Sequence, residues 1–184
     1  MRVGLFGGTF DPPHVCHTLF CVYVLEMTDV EKIVWAPCAD HPFGKTAAPF
    51  EHRLAMSRLA ARLLAPHVEV SGIENTLPHP SYTINTVEAL RRRWPDARIS
   101  VLIGSDNIED LDRWREVERL RQVADFIVVP RGGYVSRCES LAAVLPELSS
   151  TAIRNALRAS RSVEGALQPD VIAYIKEHRL YRQG

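Results

Sequence analysis

Short apolar runs recur along the chain, at Val3 to Phe6, Ile33 to Ala36, Val68 to Val70, Ile99 to Ile103 and Phe126 to Val129. Each is mostly β-branched or aromatic, and several are continuous rather than alternating, as in strands buried on both faces. Between them helical spacing takes over. Met56, Leu59, Ala60 and Leu63 fall at i, i+3, i+4 and i+7 and predict one buried stripe, while Ile84, Val87 and Leu90 predict another. Strands alternating with helices over connections of this length predict an open, mostly parallel α/β sheet with helices on both faces and right-handed crossovers. The pattern then changes, because Ala152 to Ala159 and Val171 to His178 both read as helices with no strand between them. Ser149, Ser150 and Thr151 are cap candidates for the first, and Pro169 with Asp170 marks the start of the second. A small C-terminal helical part, residues 149–184, is expected on a single domain spanning 1–184. No Gly-, Ser- or Pro-rich linker, internal repeat or low-complexity tract divides the chain.

Composition narrows the function classes. Of 184 residues, 46% are hydrophobic and 24% charged, which is ordinary globular usage and excludes disordered, collagen-like and coiled-coil readings. Lys and Arg number 22 against 22 Asp and Glu, so the net charge of +0 argues against a general nucleic-acid coat and makes any phosphate affinity local. The Arg91-Arg92-Arg93 run sits at a predicted helix end, where cations suit the dipole, and reads as a solvated terminus. Cys16, Cys21, Cys38 and Cys138 form no CxxC pair and predict reduced thiols in the cytoplasm. Met1 leads directly into a strand without the pattern of a signal peptide, and no apolar run approaches the length of a membrane span. Partners among nucleic acids or membranes are not expected.

The most informative stretch is Gly7-Gly8-Thr9-Phe10-Asp11-Pro12-Pro13-His14-Val15-Cys16-His17, directly after the first strand. Ligands of open parallel sheets bind beyond the carboxyl ends of strands, and glycines there let main-chain N–H groups approach phosphate oxygens. The spacing is neither GxGxxG nor the Walker loop. His14 and His17, three apart, are expected to share one face of the first turn of the following helix, at its positive end. An isolated HxxH is more often a cap and a packing residue; strand, double glycine, Asp-Pro-Pro and both histidines together favour an anion site.

GGTFDPPHVCH resembles the GGTFDPxHxGH signature of the nucleotidylyltransferase superfamily, in particular of nicotinate or nicotinamide mononucleotide adenylyltransferases. Leu148 to Arg154 is similar to the SSTxIR signature, Pro80 to Thr86 to the PSYTxxT segment, and Ile103-Gly104-Ser105-Asp106 with Leu111 and Trp114 to GxDxxxxLxxW. The motifs keep family order from about residue 3 to residue 181. The resemblance implies a Rossmann-like fold and an enzyme of NAD biosynthesis, a nucleotidyltransferase joining the mononucleotide's phosphate to the α-phosphate of ATP with release of pyrophosphate. Such in-line transfer leaves little covalent work to the protein beyond alignment and charge compensation.

By the same resemblance His14, His17 and Arg154 are the catalytic residues. ATP is held by Gly7, Gly8, Thr9, Phe10, His14, His17, Gly104, Asp106, Arg131, Ser150, Thr151 and Arg154. The mononucleotide is held by Thr9, Lys45, Tyr82, Thr83 and Trp114. Asp106 is placed for ribose hydroxyls, Trp114 for stacking on the pyridine, Tyr82 and Thr83 for main-chain contacts to its substituent, and Arg131 for the adenine end. Simpler readings stand beside these: Ser150 as a helix cap, Arg154 and Lys45 as solvated cations, Asp106 as the cap of a helix beginning near Ile108, and Trp114 as partial core. Mg²⁺ is expected through ATP phosphates rather than a protein cage. No metal site of protein ligands is expected, since neighbouring helix positions Cys16 and His17 point apart.

Two departures matter. The loop Pro37-Cys38-Ala39-Asp40-His41-Pro42-Phe43-Gly44-Lys45 differs from the family's PNxxPPHK, and Cys16 replaces the family glycine. The second leaves open a nucleotide-binding sensor without turnover, and another nucleotidylyltransferase activity also remains a competitor. Neither the pyridine preferred nor the oligomeric state is read from the sequence, and a homo-oligomer stays open.

Overall fold

The computed structural model describes residues 1–40, 47–130 and 148–182. Among them are strands β1 (Arg2–Gly8), β2 (Lys32–Pro37), β3 (Val68–Val70), β4 (Arg98–Gly104) and β5 (Asp125–Val129). The helices are α1 (Val15–Met27), α2 (Phe50–Ala61), α3 (Thr83–Arg93), α4 (Val117–Val123), α5 (Ser150–Arg158) and α6 (Pro169–Glu177). The strands form one sheet in the order β3-β2-β1-β4-β5, every pairing parallel. This is the Rossmann-like α/β architecture expected from the alternating pattern. Each apolar run coincides with a strand, because both faces are covered.

Side chains alternate across β1, and two cores result. Phe6 faces a cluster with Phe20 and Val24 of α1, Met56 and Ala60 of α2, Ile153 of α5, and Val171 and Ile175 of α6. Val3 and Leu5 face the other side, with Ile84, Val87 and Leu90 of α3 and Leu120 of α4. The two C-terminal helices thus pack on the α1/α2 face of the sheet. Ser149 caps α5, its Oγ accepting the Ala152 N–H at 3.2 Å, and Pro169 opens α6.

The predicted elements need two corrections. Leu63 was expected in the buried stripe of α2, but that helix ends at Ala61 and Leu63 is 87% exposed. No α-helix begins near Ile108: single 3₁₀ turns span Ser105–Asn107 and Leu111–Arg113, and α4 starts only at Val117. Asp106, Asn107, Asp110 and Asp112 crowd this stretch, and their short polar side chains compete for main-chain hydrogen bonds and favour turns. No helix among the described residues is long and apolar enough to cross a membrane.

Candidate functional site

The sheet order reverses direction between β1 and β4, the position at which open α/β sheets form a crevice. The register shows how it opens. β1 and β4 pair only from Arg2↔Arg98 to Leu5↔Val101, whereas β1 pairs with β2 as far as Gly8↔Pro37 and β4 with β5 as far as Gly104↔Val129. Beyond Leu5 the two central strands part, and a cavity of about 650 Å³ lies between their carboxyl ends.

Its floor includes Gly7, Gly8, Thr9 and Phe10 after β1, and Gly104 and Asp106 after β4. Gly8 leaves no room for a Cβ without movement, since one there would lie 2.9 Å from Cζ of Phe10 and the ring would have to shift. Phe10, in the left-handed region at φ 51, turns its ring into the aromatic group of Phe6 and Trp35 and lies 5.0 Å from the ring of His17.

Three helix amino ends reach the cavity: α1 through Cys16 and His17, α3 through Tyr82 and Thr83, and α5 through Ser150 and Thr151. The first N–H groups of a helix lack intrahelical acceptors and carry its positive dipole, so three such ends favour anions. His17 occupies the third position of α1, where its Nδ1 accepts the His14 main-chain N–H at 3.0 Å. That bond fixes Nδ1 as the acceptor and leaves the neutral ring's proton on Nε2, making His17 a hydrogen-bond donor on its other edge. His14 stacks on it with centroids 3.7 Å apart, so the two imidazoles do come together. His14 itself is 2% exposed and does not line the cavity. As the N-cap residue with extended backbone, it lies behind His17 rather than beside it.

On α5, Arg154 lines the cavity, its Nη1 donating to the Asp11 carbonyl at 2.6 Å and its Nη2 to Thr151 Oγ1 at 3.1 Å. The Ser150 hydroxyl donates to the Pro12 carbonyl at 2.9 Å, binding α5 to the β1–α1 turn. Trp114 is half-buried on the rim against the α3 side of the core, and the Arg115 guanidinium stands 5.8 Å from the Tyr82 ring. Lys45 and Arg131 lie outside the described residues.

A cytidylyltransferase-like family model matches residues 5–156. A protein of Myxococcus xanthus named nicotinate-nucleotide adenylyltransferase is 36% identical over 98% of this chain and 95% of that protein. One of Thermus thermophilus with the same name is 37% identical over 99% of this chain and 100% of that protein. The chain belongs to the nicotinate-nucleotide adenylyltransferase family. Plasmodium falciparum nicotinic acid mononucleotide adenylyltransferase complexed with NaAD superposes with a TM-score of 0.83 at 21% identity, covering 98% of this chain and 97% of that one. The same enzyme complexed with APC gives 0.80 at 20% identity, covering 98% and 96%. At such identities these two structures speak for the fold.

Nucleotidyltransferases of this family generally use a divalent metal. Among the described residues, no group of three or more His, Cys, Asp or Glu is placed to hold a metal ion. Asp106 and Asp110 line the cavity, and a hydrated cation that arrives on nucleotide phosphates needs no protein cage of its own.

Three residues of this adenylyltransferase site escape the motif reading. Arg53 of α2, 3% exposed, sends Nη1 to the carbonyls of Thr9 at 2.9 Å and Cys38 at 2.7 Å, and Nε to that of Ala48 at 2.8 Å. It ties the loops after β1 and β2 together. Glu74, also buried, accepts from Thr86 Oγ1 at 3.0 Å, and its burial pushes the carboxyl above the usual carboxylate range. Tyr181 donates to Asp11 Oδ1 at 2.6 Å. Only Arg53 left a trace in the sequence, a charge three residues before Met56 on the predicted buried stripe.

Proposed function

We propose that this chain transfers the adenylyl group of ATP to nicotinate mononucleotide, giving the nicotinate adenine dinucleotide and pyrophosphate for NAD biosynthesis. The observation that carries the reading is the convergence of three helix amino ends on one cavity where β1 and β4 part. Both substrates are polyanions, and three positive ends offer places for a triphosphate, a monophosphate and a carboxylate.

The phosphate oxygen of the mononucleotide forms a bond to the α-phosphorus of ATP while the bond from that phosphorus to the β-phosphate bridging oxygen breaks, and pyrophosphate leaves. The Nε2 edge of His17 and the main-chain N–H groups near Gly8 to Phe10 stabilise charge at the α-phosphate, with His14 holding the His17 ring by stacking. Arg154, Thr151 and Ser150 take the outer phosphates at the start of α5. Gly7, Gly104 and Asp106 contact the nucleoside, and Arg131 its adenine end. Thr9 and Lys45 attend the mononucleotide, whose pyridine stacks on Trp114 and meets the Tyr82 and Thr83 main chain. N–H donors at the amino end of α3 favour a carboxylate over an amide, which presents a donor of its own; this supports nicotinate over nicotinamide. A Mg²⁺ carried on the ATP phosphates would supply charge compensation there, beside the donors of His17 and Arg154. Residues 1–184 act as one catalytic unit, with 149–184 supplying the outer-phosphate side. The spacing of the cysteines, with neither a CxxC pair nor the density of a disulfide scaffold, supports work in the reducing cytoplasm.

The test is pyrophosphate release from ATP and Mg²⁺ with nicotinate mononucleotide, nicotinamide mononucleotide and other phosphorylated acceptors. A preference for nicotinate mononucleotide of at least tenfold in kcat/KM is expected. Preference for a different acceptor makes the chain another nucleotidylyltransferase, and ATP binding without turnover across the panel makes it the sensor that Cys16 leaves open.

A further inference from the structure

The Asp11 carboxylate is 3% exposed, yet it stands at the cavity wall beside a site that must accept phosphate. A buried carboxylate needs partners, and the ones it has come from distant parts of the chain. Oδ1 accepts the Ala48 N–H at 3.2 Å from the segment leading into α2, and the Tyr181 hydroxyl at 2.6 Å from the segment after α6, 170 residues away in sequence. Oδ2 lies 3.6 Å from Nη1 of Arg154, too long for a full charge-assisted hydrogen bond. That nitrogen donates instead to the Asp11 carbonyl at 2.6 Å. Arg154 is therefore beside its natural counter-ion without being closed onto it. Tyr181 is itself held in place: the Leu180 N–H donates to the Ile175 carbonyl at 3.0 Å, and Tyr181 takes φ 61 in the left-handed region. Burial, then the bond to Asp11, pushes its phenol further above the ordinary range, so the hydroxyl stays a donor.

We propose that Tyr181 is a positioning residue for the outer-phosphate site: its hydroxyl holds Asp11 Oδ1, keeps the carboxylate from closing onto Arg154, and leaves the guanidinium available to ATP. Without that hydroxyl, Oδ1 loses its shortest donor, the carboxylate rotates toward Arg154, and a closed ion pair competes with the β- and γ-phosphates. The proposal rests on the adenylyltransferase reading and adds a residue to it that touches neither substrate.

Tyr181→Phe keeps the ring and removes only the hydroxyl. In steady-state assays with MgATP and nicotinate mononucleotide, KM for ATP is expected to rise about 5- to 20-fold, the inhibition constant of pyrophosphate to rise in parallel, and KM for the mononucleotide to stay within twofold. In an Asp11→Asn background, where no carboxylate competes for Arg154, the same substitution is expected to change KM for ATP less than twofold. An equal rise in both KM values, an unchanged KM for ATP, or the same effect with and without Asp11→Asn would overturn the proposal. Calorimetric titration with a non-hydrolysable ATP analogue reads the same effect without turnover. A wild-type chain that binds the analogue but releases no pyrophosphate defeats the adenylyltransferase reading alone, while equal affinities of wild type and Tyr181→Phe defeat this inference alone.

Discussion

Replacing Arg53 by methionine removes a buried guanidinium while keeping most of its unbranched stem, so the loss is chiefly one of hydrogen bonds. Three of these are short, at 2.7 to 2.9 Å, and a fourth reaches the Ala39 carbonyl at 3.4 Å. A bond from a charged donor contributes about 1.5–3 kcal/mol, but the variant also escapes desolvation of the charge, so the net loss works out at about 3–5 kcal/mol. For a chain of this size that corresponds to a fall in Tm of roughly 6–20 °C. The kinetic effect should be selective. Arg53 anchors the carbonyls of Cys38 and Ala39, and the Ala39 and Asp40 N–H groups in turn donate to Ser81 Oγ beside Tyr82. Loosening that chain should raise KM for the mononucleotide about tenfold and KM for ATP by less. Circular-dichroism melts and steady-state kinetics on Arg53→Met, with Arg53→Lys as the charge-retaining control, check both numbers. A Tm within 2 °C of wild type together with an unchanged KM for the mononucleotide would refute the reasoning.

Other expectations follow from single contacts. Gly8→Ala drives a methyl into the Phe10 ring, which abuts His17, and kcat should drop about 100-fold with the far-UV spectrum kept; kinetics near wild type would show that Phe10 yields freely. Ser149→Ala removes the α5 cap and should lower stability by about 1 kcal/mol in urea denaturation, with no change in the slope of the transition. Burial raises the Glu74 carboxyl above its unfolded value, so its contribution to stability is full below the ordinary carboxylate range and is lost as pH rises through the raised value. Glu74→Gln should therefore gain in Tm over wild type at pH 8 relative to pH 4, and a difference that does not vary with pH would remove this assignment.

The sheet was legible because its central strands are buried on both faces and carry short, mostly apolar runs, while the half-buried edge strands β3 and β5 still keep a β-branched or aromatic majority. The α5 and α6 boundaries were legible through Ser149 and Pro169, residues with a defined local role at helix starts. Leu63 misled because the helical spacing of apolar residues continues past Ala61, where α2 ends and a 3₁₀ turn over Arg62–Leu64 turns Leu63 to solvent. The turns after β4 misled because Asp106 looked like a cap when it was one of several residues favouring turns. Within the site, residues adjacent in sequence could be grouped by motif, whereas the Asp11–Tyr181 bond spans a distance that no periodicity encodes. His14 shows a subtler limit: HxxH spacing predicts that two imidazoles meet, but not that the N-cap conformation sets one behind the other.

The central claim is that His17 and the surrounding main-chain donors stabilise charge at the α-phosphate while nicotinate mononucleotide attacks. Single-turnover transfer of label from α-³²P-ATP into dinucleotide, with wild type and His17→Ala compared at saturating substrates, tests it most directly. The account predicts labelled nicotinate adenine dinucleotide from wild type and a rate lower by about 10²- to 10³-fold in the variant, with the melting curve preserved. A His17→Ala rate within threefold of wild type would contradict it.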